Sequence, residues 1–165
     1  MYKVGEYIVH GRQGVCKVDD ITELDIRDAK KSLYYVLLPV KNMDSKVYYP
    51  VDGNKVITRE VISKDEATDI LDYVQHVSLD VIENDRQREE KYKKVLSSCD
   101  CKEIACMVKA VSERNKKREA QGKRTTYVDD KYLKEAKDFV IAEMSIALDI
   151  PKNDVEGRIK NYFVD

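Results

Sequence analysis

Three of the four cysteines lie close together in the sequence, where they could hold a metal ion. Cys99, Cys101 and Cys106 form a C-x-C-x4-C pattern, which is not a usual zinc spacing. The two histidines, His10 and His76, lie far from them in the sequence. Cys106 falls on the apolar face of a predicted helix, where a thiol behaves as a small hydrophobic group. We therefore interpret the cysteines as structural and expect neither a metal site nor a cofactor.

Gly11 and Gly14 separate two short β-branched runs near the N-terminus, in the stretch EYIVHGRQGVCKV. A phosphate-binding loop needs a helix that begins just after its glycines, and the sequence predicts none at this point. His10 and His76 have no acid, base or nucleophile at a spacing that would indicate catalysis. We therefore expect a binding protein and not an enzyme, with no small-molecule substrate.

The second half of the chain carries a basic band. Residues 84–124 contain 13 Lys or Arg against 7 Asp or Glu, a local net charge of +6, and the segments on both sides are acidic. Such a band attracts a polyanion, because neutralising phosphates releases their counterions. The band fits a solvated helix face with i,i+4 ion pairs equally well. The candidate pairs are Glu89 with Lys93 and Glu90 with Lys94.

Length and hydropathy exclude some classes of protein. A chain of 165 residues with 42% hydrophobic residues can bury one core or two small ones. No apolar run approaches the roughly 20 residues that a membrane-spanning helix needs, and the N-terminus lacks the apolar core of a signal peptide. We expect a cytoplasmic protein of one or two domains with no membrane partner.

The first 62 residues are predicted to form five short antiparallel strands. Runs of β-branched and aromatic residues alternate there with turn residues. The predicted strands cover residues 7–9, 14–21, 33–40, 46–51 and 56–58. Five short strands in so small a segment indicate a strongly bent barrel.

The remaining residues, 63–165, are predicted to form a bundle of helices. Three helix starts show a capping residue followed three positions later by an acid. They are Ser63 with Glu66, Asp100 with Glu103, and Thr126 with Asp129. A polar helix is predicted over 80–97, and a last short helix after Asn153. The predicted class is therefore α+β in two modules, an antiparallel barrel over 1–62 and an all-α bundle over 63–165.

Six stretches carry a resemblance to a known family, in the same order along the chain. They are VGEYIVHGRQGVCKVDDI, YYVLLPVKNMDSKVYYPVD, ITREVIS, ENDRQREEKYKKVLSSCD, KEIACMVKAVSERNKKR and DDKYLKEAKDFVIAEMSIAL. Together they resemble CarD/CdnL-family transcription regulators of bacteria over about residues 3–148. The resemblance implies a Tudor-like domain that interacts with RNA polymerase over 1–62, as also found in the transcription-repair coupling factor, and a helical DNA-binding domain over 63–165.

In that family the N-terminal domain binds a lobe of the RNA polymerase β subunit. The resemblance implies that this chain offers the edge strand over 46–49, since an exposed strand edge can accept a further strand. The residues expected at the contact are Leu24, Ile26, Lys46, Val47, Tyr48 and Tyr49. Relatives can carry arginine at the positions of Leu24 and Tyr48, so apolar and tyrosine burial would dominate here. Because strand residues alternate between faces, about half of the tyrosines in these strands should cover the barrel instead.

The helical domain of relatives contacts promoter DNA at the upstream edge of the transcription bubble, where a tryptophan at the start of the second helix enters the minor groove. This chain has no tryptophan, and the match places that position at or near Val81. An apolar side chain can unstack a base step; the alternative is that Val81 or Ile82 packs inside the bundle. The residues expected at DNA are Val81, Arg86, Arg88, Lys91, Lys93 and Lys94.

Two functions therefore stay open. The first is a regulator that binds polymerase and promoter DNA and changes the stability of the open complex by differential binding, without covalent chemistry. The second is a polymerase-binding or general protein-binding adaptor whose helical domain contacts protein, an interpretation favoured by the absence of tryptophan.

Overall fold

The computed structural model describes residues 1–25, 31–80 and 82–163. The chain separates into two compact units, Met1–Val61 and Ile62–Asp165. The described residues form a five-stranded antiparallel sheet in the first unit and five helices in the second, so the predicted α+β class in two modules is confirmed. Each helix in these residues is too short or too polar to cross a membrane.

The sheet of the first unit has the strand order β4-β3-β2-β1-β5. Its strands are β1 (Tyr7–His10), β2 (Val15–Leu24), β3 (Ser32–Pro39), β4 (Val47–Pro50) and β5 (Thr58–Glu60). β5 begins two residues later than the sequence predicts, because the Ile57 carbonyl accepts the Gly11 N–H at 2.8 Å and the ladder with β1 starts only at His10 and Thr58. β4 and β5 are the two edges of the sheet.

Two glycines form the turn between β1 and β2. Gly11–Gln13 make one turn of 3-10 helix, with Gly11 at φ +49° and Gly14 at φ +73°, the left-handed region that favours glycine. A Cβ on Gly11 would lie 2.7 Å from Val56 Cγ1. The conformation at both positions and the close approach at Gly11 therefore explain the glycines in this turn.

The core of the first unit consists of buried apolar and tyrosine side chains. They are Ile8, Cys16, Val18, Tyr35, Leu37 and Tyr49. Burial raises the pKa of the Cys16 thiol to about 12, so this thiol stays protonated at neutral pH. A bulge between Val18 and Asp20 bends β2. The Tyr49 hydroxyl donates to the Val56 carbonyl at 3.3 Å and accepts the Val56 N–H at 3.4 Å, which connects β4 to the segment before β5.

In the second unit the described residues form five helices. They are α1 (Lys64–His76), α2 (Asp85–Ser98), α3 (Cys101–Ala120), α4 (Tyr127–Leu148) and α5 (Lys152–Phe163). The Ser63 hydroxyl accepts the Glu66 N–H at 3.2 Å, and the Glu66 carboxylate accepts the Ser63 N–H at 2.7 Å, which is the predicted capping box. Asp100 and Thr126 likewise cap α3 and α4, so the three predicted starts are confirmed.

Two helices begin at residues other than those predicted. α2 starts at Asp85 and not at residue 80, because the Asn84 side chain accepts the Gln87 N–H at 3.0 Å and caps the helix there. α5 starts at Lys152, directly after Pro151, and not after Asn153. Proline is favoured at the start of a helix because the first N–H groups have no partner within it.

One base of the basic band serves as a helix cap inside the bundle. Lys109 on α3 is only 8% exposed. Its Nζ donates to the carbonyls of Val74, Gln75 and Val77 at 2.8, 3.1 and 3.0 Å. Carbonyls at a helix end lack partners within the helix, so Lys109 satisfies the end of α1 from a neighbouring helix.

A buried carboxylate joins three helices. Asp129 on α4 is fully buried and accepts hydrogen bonds from Arg88 Nε on α2 at 2.8 Å, Arg114 Nε on α3 at 3.2 Å and the Tyr92 hydroxyl at 2.9 Å. Burial by itself raises the pKa of Asp129, but hydrogen bonds involving Arg88, Thr126 and Tyr92 outweigh it and hold the pKa below its ordinary value. This one side chain therefore fastens α2 to α3 and α4.

Replacing Asp129 tests the strength of this connection. We expect Asp129→Asn to lower the free energy of unfolding by about 3 to 5 kcal/mol at neutral pH, because two buried guanidinium groups lose the one buried carboxylate that they share and keep only the exposed Asp85 and Glu83 as partners. Asp138→Asn removes an exposed carboxylate from the same helix, and its effect should stay within about 0.5 kcal/mol. Urea denaturation followed by circular dichroism measures both variants.

The pH dependence of the same comparison gives a second readout. A carboxyl whose pKa is lowered by folding stabilises the protein fully above its unfolded-state pKa, and this contribution disappears as the pH falls through the folded-state pKa. The stability difference between the parent and Asp129→Asn should therefore be largest at neutral pH and shrink below about pH 4. A difference that stays constant down to acid pH would contradict an ionised Asp129.

Candidate functional site

β4 is an edge strand whose outer side has no neighbouring strand among the described residues. The Val51 N–H donates to the Leu33 carbonyl at 2.9 Å. Because hydrogen-bonded pairs alternate along an antiparallel ladder, Tyr49 and Val47 also direct their backbone groups toward β3. The N–H and C=O of Tyr48, between them, therefore face the open edge.

Pro50 limits the length of this edge. It has no N–H to donate, and its carbonyl accepts the Gly53 N–H at 2.9 Å. Tyr48 therefore carries the complete donor and acceptor pair on the outer side of β4. Its side chain is 51% exposed, so the ring is accessible beside that pair.

The other side chains of the predicted polymerase contact lie on different faces of β4. Tyr49 is only 8% exposed and belongs to the core, which leaves it unavailable to a partner. Val47 is half-buried and packs against that core. Lys46 is exposed, and its Nζ lies 3.8 Å from Asp19 Oδ2. The accessible residues of the predicted edge are therefore Lys46 and Tyr48, with Val47 accessible in part.

Leu24 does not lie beside these residues. It is the last residue of β2 and pairs with Ser32 on β3, whereas β4 pairs with β3 over residues 34–37. Leu24 is thus beyond the end of β4, two strands away from it. Ile26, the other predicted residue of this contact, lies outside the described residues.

Arg86 and Lys93 are exposed bases on α2. Arg86 Nε lies 3.3 Å from Glu90 Oε1, and Lys93 Nζ lies 3.2 Å from Glu89 Oε1. The predicted pairing of Glu89 with Lys93 is therefore present, while Glu90 pairs with Arg86 and not with Lys94. The hydrogen bond from Lys93 lowers the pKa of Glu89. Exposed pairs contribute only about 0 to 1 kcal/mol, so both bases can exchange a carboxylate for a phosphate.

Lys91 and Lys94 lie on another side of α2, along a groove shared with α3. The groove has a volume of about 960 Å³. Its apolar lining includes Leu79, Ile82, Val95, Met107 and Ala110, and its acidic lining includes Glu90, Glu103 and Glu113. Neither lysine forms an ion pair with any residue that the structure describes. Both therefore present positive charge that no carboxylate neutralises directly.

Arg88, in contrast, is an interior residue. Its side chain is 3% exposed, and its guanidinium donates to Asp129, to Asp85 Oδ1 at 2.9 Å, and to the carbonyls of Ile82 and Glu83 at 3.3 and 3.2 Å. These bonds direct the guanidinium into the protein, so it cannot reach a phosphate while α2 stays packed. The burial of Arg88 removes it from the DNA contacts expected from the sequence.

The structure describes only one of the two residues expected at or beside the position of the family tryptophan. Val81 lies outside the described residues. Ile82, the next residue, is half-buried and lines the groove between α2 and α3. Since its carbonyl accepts from Arg88, the buried arginine also holds the backbone just before α2.

Sequence reasoning missed the buried polar cluster around Asp129. The signal was a four-residue spacing, because Arg88, Tyr92 and Leu96 share one face of α2 and all three are buried. An arginine on the same face as a buried leucine indicates an internal acid as its partner. In the sequence Asp129 stands out only as part of a capping pattern, and its separation of 41 residues from Arg88 hides the pairing.

The cysteines give no sign of a chemical centre. In the part of the chain that the structure describes, no three His, Cys, Asp or Glu side chains are grouped so as to hold a metal ion. Cys99 and Cys101 are buried, and Cys106 is half-buried. Burial raises the pKa of Cys106, which makes its thiol a weak nucleophile at neutral pH. The candidate sites are therefore the β4 edge and the basic surface of the bundle.

Comparisons with known families cover both units. A family model described as CarD-like/TRCF RID domain matches residues 2–61, and one described as CarD, C-terminal domain matches residues 69–160. A comparison with curated proteins found no match. The two family matches follow each other along the chain, and the second alone spans more than half of it. They confirm the resemblance noted from the sequence.

The family match gives the coarse function of the chain. CarD-like proteins are non-enzymatic transcription factors. The match to the RID domain also indicates an interaction with RNA polymerase. The chain therefore belongs to the CarD-like family and is a transcription-associated protein that interacts with RNA polymerase.

Proposed function

We propose that the protein binds the β subunit of RNA polymerase through the open edge of β4 and binds promoter DNA near the upstream edge of the bubble through the bases of α2. By holding polymerase and DNA together it changes the stability of the open complex. The observation that carries the proposal is the β4 edge, where the backbone N–H and C=O of Tyr48 have no partner among the described residues and lie beside an exposed ring.

The contact with polymerase is a strand addition. A strand of the β-subunit lobe pairs with the N–H and C=O of Tyr48, and these main-chain bonds supply affinity without reading sequence. Lys46 and the Tyr48 ring supply specificity, since side chains along the edge contact the partner's own side chains. Because Pro50 ends the donor row, the added strand is short.

The contact with DNA depends on charge. Lys91 and Lys94 face outward without acidic partners among the described residues, and Arg86 and Lys93 join them by giving up weak surface pairs. Each phosphate that a base neutralises releases counterions, so affinity falls as salt rises. Such contacts are independent of base sequence, so the contact with polymerase determines where along the DNA the protein binds.

The effect on transcription follows from differential affinity. A protein that binds the open polymerase–DNA complex more tightly than the closed one shifts the equilibrium toward the open state by that difference and no more. Neither covalent chemistry nor a cofactor is needed. The sign of the effect depends on which state places DNA within reach of α2.

The second candidate is a polymerase-binding adaptor without a DNA wedge. Two observations favour it: the chain has no tryptophan, and the groove between α2 and α3 has both basic and acidic lining over an apolar floor. A mixed lining of this kind fits a protein partner better than a polyphosphate. In this case the helices contact protein while the β4 edge keeps the same role.

Tyr48→Pro tests the strand addition. Proline removes the outward N–H while leaving the bonds between β4 and β3 in place, and an edge strand tolerates proline where its N–H faces solvent. We expect the affinity for a purified β-subunit lobe to fall at least roughly tenfold, about 1.4 kcal/mol, in isothermal titration calorimetry. Tyr48→Thr keeps the N–H and should lose less. Equal losses for the two variants would show that the ring, and not the backbone, makes the contact.

Removing charge from the groove rim tests the DNA contact. We expect Lys91→Gln combined with Lys94→Gln to weaken binding of the full chain to duplex DNA and to reduce the slope of log K against log salt by about 1.8, since each phosphate contact contributes about 0.9. Fluorescence anisotropy at several salt concentrations measures this slope.

The matched control for that experiment is Lys134→Gln combined with Lys152→Gln, which removes the same charge from exposed positions on α4 and α5. This control should bind DNA like the parent. Parent binding that does not change with salt, or no binding at all, would instead support the adaptor. Affinity for the β-subunit lobe should be unchanged in both double variants.

A further inference from the structure

Tyr127, the first residue of α4, projects from the bundle into solvent. Its side chain is 80% exposed, more than any other described tyrosine among the exposed large hydrophobics. A single exposed tyrosine is ordinary on a protein surface. This one is significant because hydrogen bonds fix the backbone just before it and because several bases precede it in the sequence.

The connection between α3 and α4 is fixed by hydrogen bonds. Gly122, at φ +72°, ends α3, and the Lys123 N–H returns to the Arg118 carbonyl at 2.9 Å. Arg118 Nε also donates to the Arg124 carbonyl at 3.0 Å. After Arg124, the Thr126 hydroxyl accepts the Asp129 N–H at 3.1 Å and caps α4. The connection therefore fixes the backbone that carries Tyr127, which reduces the backbone entropy lost on binding.

The same corner of the bundle is strongly basic. Residues 116–124 contain five bases and one acid. The bases are Lys116, Lys117, Arg118, Lys123 and Arg124, and all but the half-buried Arg118 are exposed. Lys131 adds a further exposed base about one turn into α4. The exposed Asp130 is an acid in the same first turn of α4. Tyr127 is therefore an exposed aromatic ring that follows a strongly basic segment and precedes one exposed acid.

The buried ion pairs place this corner beside the start of α2. Asp129, two residues after Tyr127, accepts from Arg88, and Arg88 in turn donates to the carbonyls of Ile82 and Glu83. Arg114 also reaches Glu83, at 3.4 Å. The segment just before α2 and the segment that carries Tyr127 thus lie at the same end of the bundle.

We propose that this corner binds unpaired DNA, with the ring of Tyr127 stacked on a base and Lys117, Lys123 and Arg124 on the flanking phosphates. Exposed aromatic rings within a basic surface are the means by which proteins bind single strands without reading sequence. The inference rests on the proposed DNA-binding function and deepens it, because it gives the chain an aromatic contact for the open bubble at a place separate from the groove of α2 and α3.

The absence of tryptophan makes the test direct. Tyr127→Trp gives the full chain a single tryptophan, whose fluorescence should be quenched when an oligothymidylate of about 12 nucleotides binds, because stacked bases quench indole. Tyr7→Trp places the reporter at an exposed position in the first unit, and its fluorescence should not change. Quenching in neither variant would overturn the proposal.

Affinity measurements complete the test. In anisotropy with the same oligonucleotide, Tyr127→Ala should weaken binding roughly 5- to 150-fold, the range expected for the loss of one stacked base, whereas Tyr127→Phe should bind like the parent. Equal losses of Tyr127→Ala on single-stranded and duplex DNA would overturn stacking in favour of a simple duplex contact.

The outcome also separates this proposal from the proposed function. If duplex binding persists with its salt dependence and Tyr127→Ala binds the single strand like the parent, only the stacking corner is overturned. If the parent binds neither form of DNA, both the corner and the DNA contact of the bundle are overturned. If the protein still bound the β-subunit lobe, that result would support the adaptor function.

Discussion

The buried carboxylate of Asp129 is the constraint on which the surface of the bundle depends. α2 has fourteen residues, of which only Arg88, Tyr92 and Leu96 are buried. Burying one leucine contributes about 1.5 to 3 kcal/mol, which is little for a helix of this length. The buried ring of Tyr92 adds apolar contact with Tyr132, and the hydrogen bonds that Arg88 and Tyr92 make to Asp129 fix the position of the helix. The positions of the outward bases of α2 therefore depend on these buried contacts.

β4 likewise has one buried and one outward residue, the neighbouring Tyr49 and Tyr48. Tyr49 faces the core and binds the backbone of Val56 through its hydroxyl, whereas Tyr48 faces outward with its ring and its backbone pair accessible. Successive side chains of a strand point to opposite faces. Tyr49 therefore packs in the core, whereas Tyr48 is accessible to a partner. Specificity at this edge therefore rests on few side chains.

The sequence predicted what depends on local chemistry. The three capping patterns, the glycine turn after His10 and the alternation of tyrosines all involve residues within a few positions of each other, and they fold as expected. The spacing of Arg88, Tyr92 and Leu96 indicates that Arg88 and not Arg86 faces inward, but it does not identify the group that separates the two bases. What separates them is a carboxylate 41 residues further along. Lys109 was hidden in the same way, since the carbonyls it caps lie more than 30 residues earlier.

Pro50 also bears on how copies of this protein behave toward each other. An edge strand with a full row of unpaired donors is a template on which identical chains can stack into aggregates. Here the row is interrupted after Tyr48, because Pro50 contributes no donor and its carbonyl is already engaged by Gly53. The edge can therefore accept one short segment from a different protein while giving a second copy of itself too little backbone on which to propagate a fibril.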